Sequence, residues 1–325
     1  MHIEQYCTSH FEDLTDLNAL RKVIRETQPD IIFHLAAQSL VRYSYANPME
    51  TFQTNVIGTA NLLESCRLEE LKTVIINVTS DKCYENREDK HAFTEEDRMG
   101  GFDPYSCSKG ISELLTNCYR NSFFNQKKKG SSNSILVASA RAGNVIGGGD
   151  WAEDRLIPDV VRAASNGEAV EIRSPNATRP WQHVLEPLSG YLLLGQRLLE
   201  DKSGFAEAWN FGPLNRESLP VSEVLHIAKE AWAKVSFHYQ ENKDQPHEAN
   251  FLSLDCSKSN QILDWKPVWS TAEAIHKTII WYQSFYQNNE ILSLQDLLNY
   301  SKKAEAKGCS WAINTSQTCK PRPSR

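Results

Sequence analysis

Three short runs of apolar, largely β-branched residues recur in the first half of the chain, and helical patterns lie between them. The runs cover residues 31–35, 74–78 and 135–138. Each is almost continuously apolar, which is typical of a strand buried on both faces of a parallel sheet. Strands that alternate with helices form βαβ units. The sequence therefore predicts an α/β protein with a doubly wound, Rossmann-like parallel sheet.

The second half of the chain has a different pattern, because prolines interrupt shorter elements after Gly149. We expect residues 1–150 to form a partial dinucleotide-binding domain, to which residues 181–213 return. Residues 151–180 and 214–300 are predicted to form a smaller substrate-binding lobe. The polar residues 301–325 are expected to be a disordered tail. Helices are predicted over 17–27, 48–66, 104–119, 187–200, 221–233 and 271–286.

One element of such a fold is not found in its usual place. A dinucleotide-binding sheet opens with a strand, a glycine-rich turn and a helix whose N-terminus binds the pyrophosphate. Here the strand at 31–35 is followed by Ala36-Ala37-Gln38, and Gly147-Gly148-Gly149 follows a later strand. We therefore expect the opening βαβ segment, roughly 50 to 70 residues, to be missing. The expected consequences are an unpaired edge on strand 31–35, low stability and weak or no dinucleotide binding.

Composition excludes several classes of partner. The formal net charge is −6 with no basic stripe, so nucleic acid is not an expected partner. No run approaches the roughly 20 apolar residues that cross a bilayer, and the N-terminus lacks the basic start and apolar stretch of a secretory signal. The eight cysteines form no CxxC pair and no zinc spacing with histidine, so we expect no metal and a reduced, cytoplasmic protein.

Two local patterns carry reactive side chains. Tyr105 and Lys109 are spaced i, i+4 on a predicted helix, where an ammonium group can favour ionisation of the phenol. The alternative is a surface tyrosine beside a solvated lysine. Ser80, Asp81 and Lys82 follow the strand at 74–78, and α/β sheets bind ligands at that end of their strands. The alternative for these three residues is an ordinary polar loop.

Longer motifs carry a resemblance to a known family. They are HLAAQSLVR (34–42), TSDKCY (79–84), DPYSCSKG (103–110), SARAGNVIGGGDWAEDRLIPD (139–159), RPWQHVLEP (179–187), NFGP (210–213), PHEA (246–249) and LDCSK (254–258). Over residues 10–290 the chain resembles the extended short-chain dehydrogenase/reductase family, and within it the sugar-nucleotide 4,6-dehydratases. The resemblance implies NAD as cofactor and conversion of CDP-glucose to CDP-4-keto-6-deoxyglucose and water, through transient hydride transfer to NAD.

The resemblance also implies a role for each reactive residue. Ser80 binds the sugar O4, and Tyr105 removes the proton from the 4-hydroxyl group. Lys109 holds the phenolate and a hydroxyl of the nicotinamide ribose. Asp81 and Lys82 match the acid and the base that remove water across C5 and C6. A lysine base has to be neutral, which burial near other cations favours.

Further contacts are implied at matching positions. The cofactor-binding residues are Asp13, Leu14, Leu35, Ala36, Ala37, Gln38, Asn55, Tyr105, Lys109 and Arg141. The substrate-binding residues are Ser39, Asn144, Arg155, Arg179, His183 and His247. The residues assigned to the cofactor could instead serve ordinary packing at strand ends and in a helix. Arg155 and Arg179 could instead form surface ion pairs. Each of the two histidines can equally be a structural residue.

The family also implies a homodimer formed through the helices near 48–66 and 105–119. Two other functions stay open at this stage. A related sugar-nucleotide epimerase shares the fold but needs no acid–base pair for water loss, so Asp81 and Lys82 argue against it. An N-terminally truncated, inactive remnant that dimerises is the second alternative, and the absent glycine-rich turn favours it.

Overall fold

The computed structural model describes residues 3–89, 91–124, 135–214, 217–240 and 251–313. The helices are α1 (Leu17–Thr27), α2 (Val41–Ala46), α3 (Pro48–Phe52), α4 (Gly58–Leu68), α5 (Pro104–Ser122), α6 (Leu156–Asn166), α7 (Leu185–Leu199), α8 (Val221–Ala231), α9 (Ser257–Gln261), α10 (Thr271–Asn288) and α11 (Ser293–Ala306). The strands are β1 (Ile31–His34), β2 (Val74–Val78), β3 (Leu136–Ala142), β4 (Val145–Ile146), β5 (Val170–Ile172), β6 (Thr178–Arg179), β7 (Gln182–His183), β8 (Ala208–Phe211), β9 (Leu219–Pro220) and β10 (Phe237–Tyr239).

A four-stranded parallel sheet in the order β1-β2-β3-β8 forms the centre of the fold. The register pairs Ile31 with Val74 and Ile75 with Val137. This topology confirms the predicted Rossmann-like class. β1 lies at the edge of the sheet and pairs only with β2 within the described ranges. The strand at 31–34 therefore has the open edge that the sequence predicts.

Alternating side chains of β2 belong to two hydrophobic cores, one on each face of the sheet. Ile75 packs with Ile24, Leu63 and Val137 on the face that α1 and α4 cover. Ile76 lies in the other core, where α7 and β8 contribute their apolar side chains. A third core, built mainly by α6, α8 and α10, belongs to the second half of the chain. The central strand is thus apolar on both faces, as its sequence indicates.

The helix predicted over 48–66 contains an irregular turn. Between α3 and α4 the chain makes a π-helical turn at Gln53–Ile57, and helical structure continues to Leu68. Such turns are frequent at functional sites because the extra residue redirects side chains. Here the turn carries the buried Asn55.

The prediction of a disordered tail from residue 301 is wrong for residues 301–313. α11 continues to Ala306, and Ala304 is fully buried together with Tyr300 beneath Val268 and Trp269. The reason is that two side chains four residues apart, one aromatic and one small, give this polar helix an apolar contact with the core. Residues 314–325 lie outside the described part of the chain.

No helix within the described ranges combines the length and the apolar character that a membrane span needs.

Truncation of a central strand residue tests this packing. We expect Ile76→Ala to lower the free energy of unfolding by about 3 kcal/mol, because it leaves a cavity between the sheet and α7. Urea denaturation measures the change. Leu294→Ala, which truncates a half-exposed side chain of α11, should cost less than about 0.5 kcal/mol. Equal effects at the two positions would contradict the assignment of the core.

Candidate active site

A cavity of about 460 Å³ lies at the carboxyl ends of β2 and β3, and α6 and β5 form its opposite wall. Parallel strands bring their carboxyl ends to one edge of the sheet, which is where α/β proteins bind ligands. Eight of the residues predicted for the site line this cavity. They are Ser39, Ser80, Asp81, Lys82, Tyr105, Asn144, Arg155 and Arg179.

Ser80 connects the strand end to the helix that carries the phenol. Its hydroxyl group donates to Asp81 Oδ1 at 3.0 Å and accepts the backbone N–H of Lys82 at 3.2 Å. Burial raises the pKa of Tyr105 to about 12, while a hydrogen bond with Ser80 acts in the opposite direction. The phenol is therefore neutral at pH 7 in the absence of a further positive charge.

Asp81 is buried against the loop that follows β3. Burial raises the pKa of its carboxyl group, against the opposing charges of Lys82 and Arg179. Its Oδ2 atom has no hydrogen-bond partner within the described structure. A Cβ atom at Gly143 would collide with this carboxyl group, so only glycine allows the close approach. Asp81 thus retains its proton to a higher pH than an ordinary aspartate, as suits a general acid.

Helix α5 places Tyr105 and Lys109 on one buried face. Asp103 caps the helix by accepting the N–H of Ser106 at 2.9 Å, and Pro104 occupies its first turn. Burial lowers the pKa of Lys109 to about 8, and the nearby Glu113 carboxylate opposes that shift. Lys109 Nζ donates to Val78 O at 3.3 Å. The ammonium group therefore lies between the end of β2 and the phenol-bearing turn.

Arginine side chains cover another part of the cavity wall. Arg155 Nη1 pairs with Asp150 Oδ2 at 2.9 Å, and its Nη2 donates to Ser39 Oγ at 2.7 Å. Arg42 Nη1 lies 3.2 Å from Asp154 Oδ1. Guanidinium groups match phosphate oxygens in both charge and geometry. The wall can therefore bind a diphosphate in exchange for its present carboxylate partners.

Sequence reasoning missed several residues of this wall. Arg42, Asp150, Asp154 and Arg173 line the cavity. The first three lie within the motifs 34–42 and 139–159, but no spacing within those motifs marks them as ligand contacts. The four residues come from α2, from the loop before α6 and from the end of β5. Only the tertiary structure brings these segments together.

Arg141, predicted to contact the cofactor, does not line this cavity. Its guanidinium group is buried, pairs with Glu113 Oε2 at 2.8 Å and donates to Tyr84 Oη at 2.8 Å. It also lies 5.0 Å from the centre of the Tyr84 ring. The physical reason is that a buried carboxylate in α5 requires a cationic partner, and β3 supplies one.

His183 is also structural rather than part of the cavity wall. Its ring packs edge-on against Trp269 with the centroids 4.7 Å apart, and its Nδ1 accepts the N–H of Leu185 at 3.3 Å. Burial lowers its pKa to about 4. His183, predicted to contact the substrate, is therefore held by packing against Trp269 and does not line the cavity. His247 lies outside the described residues.

Asn55, on the π-helical turn, supports the loop after β1. Its Oδ1 accepts the N–H of Gln38 at 2.8 Å, and its Nδ2 donates to Gln38 O at 2.9 Å and to Ser108 Oγ at 2.8 Å. Gln38 in turn donates to Thr51 Oγ1 at 2.8 Å. Both side chains, predicted to bind the cofactor, thus hold the loop to the π-helical turn.

The remaining residues predicted to bind the cofactor lie near the open edge of the sheet. Leu35 is 53% exposed and Ala36 is exposed, at the carboxyl end of β1, and Ala37 is partly buried beside them. Asp13 Oδ1 accepts both the N–H and the hydroxyl group of Thr15 at 2.8 Å. Leu14 packs over Gly58. The side chains at 35 and 36 are available to a ligand, whereas Leu14 is used in packing.

Comparisons with known proteins identify the family. The family described as GDP-mannose 4,6 dehydratase matches residues 1–278. The chain belongs to this family. Members of the GDP-mannose 4,6-dehydratase family are extended short-chain dehydrogenases/reductases. A curated relative from Salmonella typhimurium, named CDP-glucose 4,6-dehydratase, is 45% identical over 284 residues, which cover 87% of this chain and 79% of the relative.

Solved structures of related proteins share the architecture of this family member. A dTDP-glucose 4,6-dehydratase from Streptomyces venezuelae, solved with NAD bound, is 25% identical with a TM-score of 0.69, covering 84% of this chain and 78% of that chain. An epimerase from Methanothermobacter thermautotrophicus is 25% identical with a TM-score of 0.72, covering 85% and 78%. The fold is thus common to dehydratases and epimerases, and the residues in the cavity have to separate the two functions.

The burial of His183 predicts an effect of pH on stability. A histidine with a pKa of about 4 when folded and about 6.5 when unfolded binds fewer protons in the folded state between these values, so stability falls as the pH drops. Between pH 7 and pH 5 this histidine should lower the free energy of unfolding by about 2 kcal/mol. We expect His183→Gln to remove that contribution, measured by urea denaturation at both pH values. His238→Gln, at an exposed position, serves as the control, and equal pH dependence in the two variants would contradict the structural role.

Proposed function

We propose that this protein is an NAD-dependent sugar-nucleotide 4,6-dehydratase that converts CDP-glucose to CDP-4-keto-6-deoxyglucose and water. The observation that carries the proposal is that Ser80, Asp81, Lys82 and Tyr105 line one cavity. The choice of CDP-glucose rests on the 45% identical relative that carries this substrate in its name.

The residues around Lys109 fit the nicotinamide end of NAD. Leu35 and Ala36 are exposed where β1 ends, and Lys109 Nζ donates to one backbone carbonyl, which leaves N–H groups for a ribose diol. When bound, NAD would supply the hydride acceptor for C4 of the sugar and the hydride donor for C6. Gly148 packs against Trp281, so the glycine run at 147–149 does not provide the phosphate-binding turn.

Tyr105 acts as the base in the first step and takes the proton of the sugar 4-hydroxyl group. Its own burial opposes ionisation, whereas the Ser80 hydroxyl group and the charge of Arg155 favour it. Lys109, one helical turn along α5, supplies a second cation on the same helix face. Ser80 also orients O4 of the sugar. The resulting 4-ketone acidifies the proton on C5.

Asp81 and Lys82 carry out the elimination of water. Lys82 removes the C5 proton, and the protonated Asp81 donates to the departing 6-hydroxyl group. The raised pKa of Asp81, caused by burial, suits this role as an acid. An epimerase has no need of such a pair, so its presence in the cavity favours dehydration.

The role of Lys82 can be tested by substitution. With CDP-glucose and NAD, the unaltered chain should form the 4-keto-6-deoxy sugar, whose absorbance in alkali reports turnover. We expect Lys82→Met to lower kcat by roughly 10²- to 10⁴-fold, because the base for C5 is lost. Lys72→Met, at an exposed lysine after α4, is the matched control and should retain activity.

Two results would contradict this proposal. Turnover by Lys82→Met at the rate of the unaltered chain would remove Lys82 from the chemistry. No turnover by the unaltered chain, with a dimer still formed, would instead support the inactive remnant, whose structural basis is the open edge of β1.

The proposed assembly is a homodimer formed through the helices at 48–68 and α5. Apolar side chains project into solvent from these helices and from the residue that follows α5, among them Ile57 at 49%, Leu114 at 58% and Phe123 at 45% exposure. Burial of such side chains favours association of two copies. The free thiols of Cys66, Cys83, Cys107, Cys118 and Cys309 favour a reducing compartment, and we propose the cytoplasm.

Charge substitution on α5 tests the assembly. We expect Leu114→Glu to shift the chain from dimer to monomer in sedimentation velocity, because it would bury an unpaired carboxylate at the interface. Leu192→Glu provides the control, since Leu192 is 63% exposed on α7, away from the proposed interface. A dimer that persists in Leu114→Glu would exclude this surface as its interface.

A further inference from the structure

Glu113 is a buried carboxylate that the proposed reaction does not use. It follows Tyr105 and Lys109 along α5 at successive intervals of four residues, so the three side chains share one face of the helix. Its oxygens accept hydrogen bonds from Thr79 Oγ1, from Ser139 Oγ at 2.7 Å and from Arg141 Nη2 at 2.8 Å. One side chain of α5 thus contacts the residue that follows β2 and two residues of β3.

These contacts hold the segment 79–84, which contains the proposed acid and base, at both of its ends. Thr79, bonded to Glu113, immediately precedes Ser80. Tyr84 lies at the other end of the segment and accepts from Arg141 Nη1 at 2.8 Å, while its own hydroxyl group donates to Asn210 Oδ1 at 2.7 Å. The Glu113–Arg141 pair thus connects α5 to both ends of this segment.

Glu113 also contributes its charge to the site. Lys109 is faced by Glu113 from its own helix, by the Cys83 thiol from the segment after β2 and by the His34 imidazole from β1. Among these three groups only Glu113 carries a negative charge at neutral pH, because burial raises the pKa of the thiol and lowers that of the imidazole to about 4. The carboxylate therefore favours the protonated form of Lys109.

We propose that Glu113 is a positioning residue, which holds the segment 79–84 in register with Tyr105 and maintains the charge of Lys109. This inference rests on the proposed dehydratase function. Because Glu113 is buried beneath the segment and does not line the cavity, it acts on the reaction through the residues it binds.

The first test separates binding from chemistry. Glu113→Gln preserves the size of the side chain and removes its charge. We expect kcat for CDP-glucose to fall roughly 10- to 100-fold, since small displacements of catalytic groups have effects of that size. KM should stay within about twofold, because substrate contacts are retained.

A second pair of variants keeps the Glu113–Arg141 ion pair and serves if Glu113→Gln fails to fold. Thr79→Val and Ser139→Ala each delete one hydroxyl group that donates to Glu113. Of the two residues, only Thr79 belongs to the segment 79–84, whereas Ser139 lies in β3. We therefore expect Thr79→Val to lower kcat roughly tenfold and Ser139→Ala to retain the kcat of the unaltered chain.

A purely structural role would not move the pH profile. In Glu113→Gln the pKa of Lys109 should fall below its value of about 8, so the alkaline limb of kcat moves to lower pH. The same change should be visible without substrate or NAD, by following the Lys109 side chain through its titration in NMR spectra of the unliganded protein.

Each outcome decides between the two proposals. Turnover by the unaltered chain, with unchanged kcat in both Glu113→Gln and Thr79→Val, would overturn the inference and leave the dehydratase function intact. Equal losses of kcat in Thr79→Val and Ser139→Ala, with no shift of the alkaline limb in Glu113→Gln, would mean that Glu113 only stabilises the fold. This result would also overturn the inference. Absence of turnover by the unaltered chain would overturn both proposals.

Discussion

The site depends on the close approach of the segment after β2 to the loop after β3. Parallel pairing brings Thr79 and Gly143 to the same edge of the sheet, and the missing side chain at Gly143 admits the carboxyl group of Asp81. Because the segment then turns into a short 3₁₀ helix capped by Ser80, Lys82 also reaches the cavity. The placement of Asp81 and Lys82 at the cavity thus follows from the strand register and from the glycine at position 143.

Burial sets the protonation states on which the chemistry depends. It raises the pKa values of Tyr105 and Asp81 and lowers that of Lys109. Each of these shifts disfavours the charged form of its group. A phenolate at Tyr105 then depends on neighbouring cations, and this requirement links the first proton transfer to the arrival of the cofactor.

The sequence predicts the elements whose signal is local. The strand at 74–78 and the helix that starts at Pro104 were found because a continuous apolar run and a first-turn proline are contained within a few residues. Residues whose role depends on distant partners were not found. Arg141 follows the pattern of a site residue, but its partner Glu113 lies in another element, and no spacing within β3 reveals the pair. Similarly, α11 is polar over most of its surface, and only the core beneath Val268 explains why it is ordered.

The transfer of hydrogen within the sugar tests the central claim most directly. The chain is incubated with NAD and CDP-glucose deuterated at C4, and the product is examined by NMR. The account predicts a 4-keto-6-deoxy sugar with deuterium at C6, because the hydride removed from C4 returns to the carbon that loses its hydroxyl group. A sugar that keeps its 6-hydroxyl group and carries the deuterium at an inverted C4 would identify an epimerase and contradict the account.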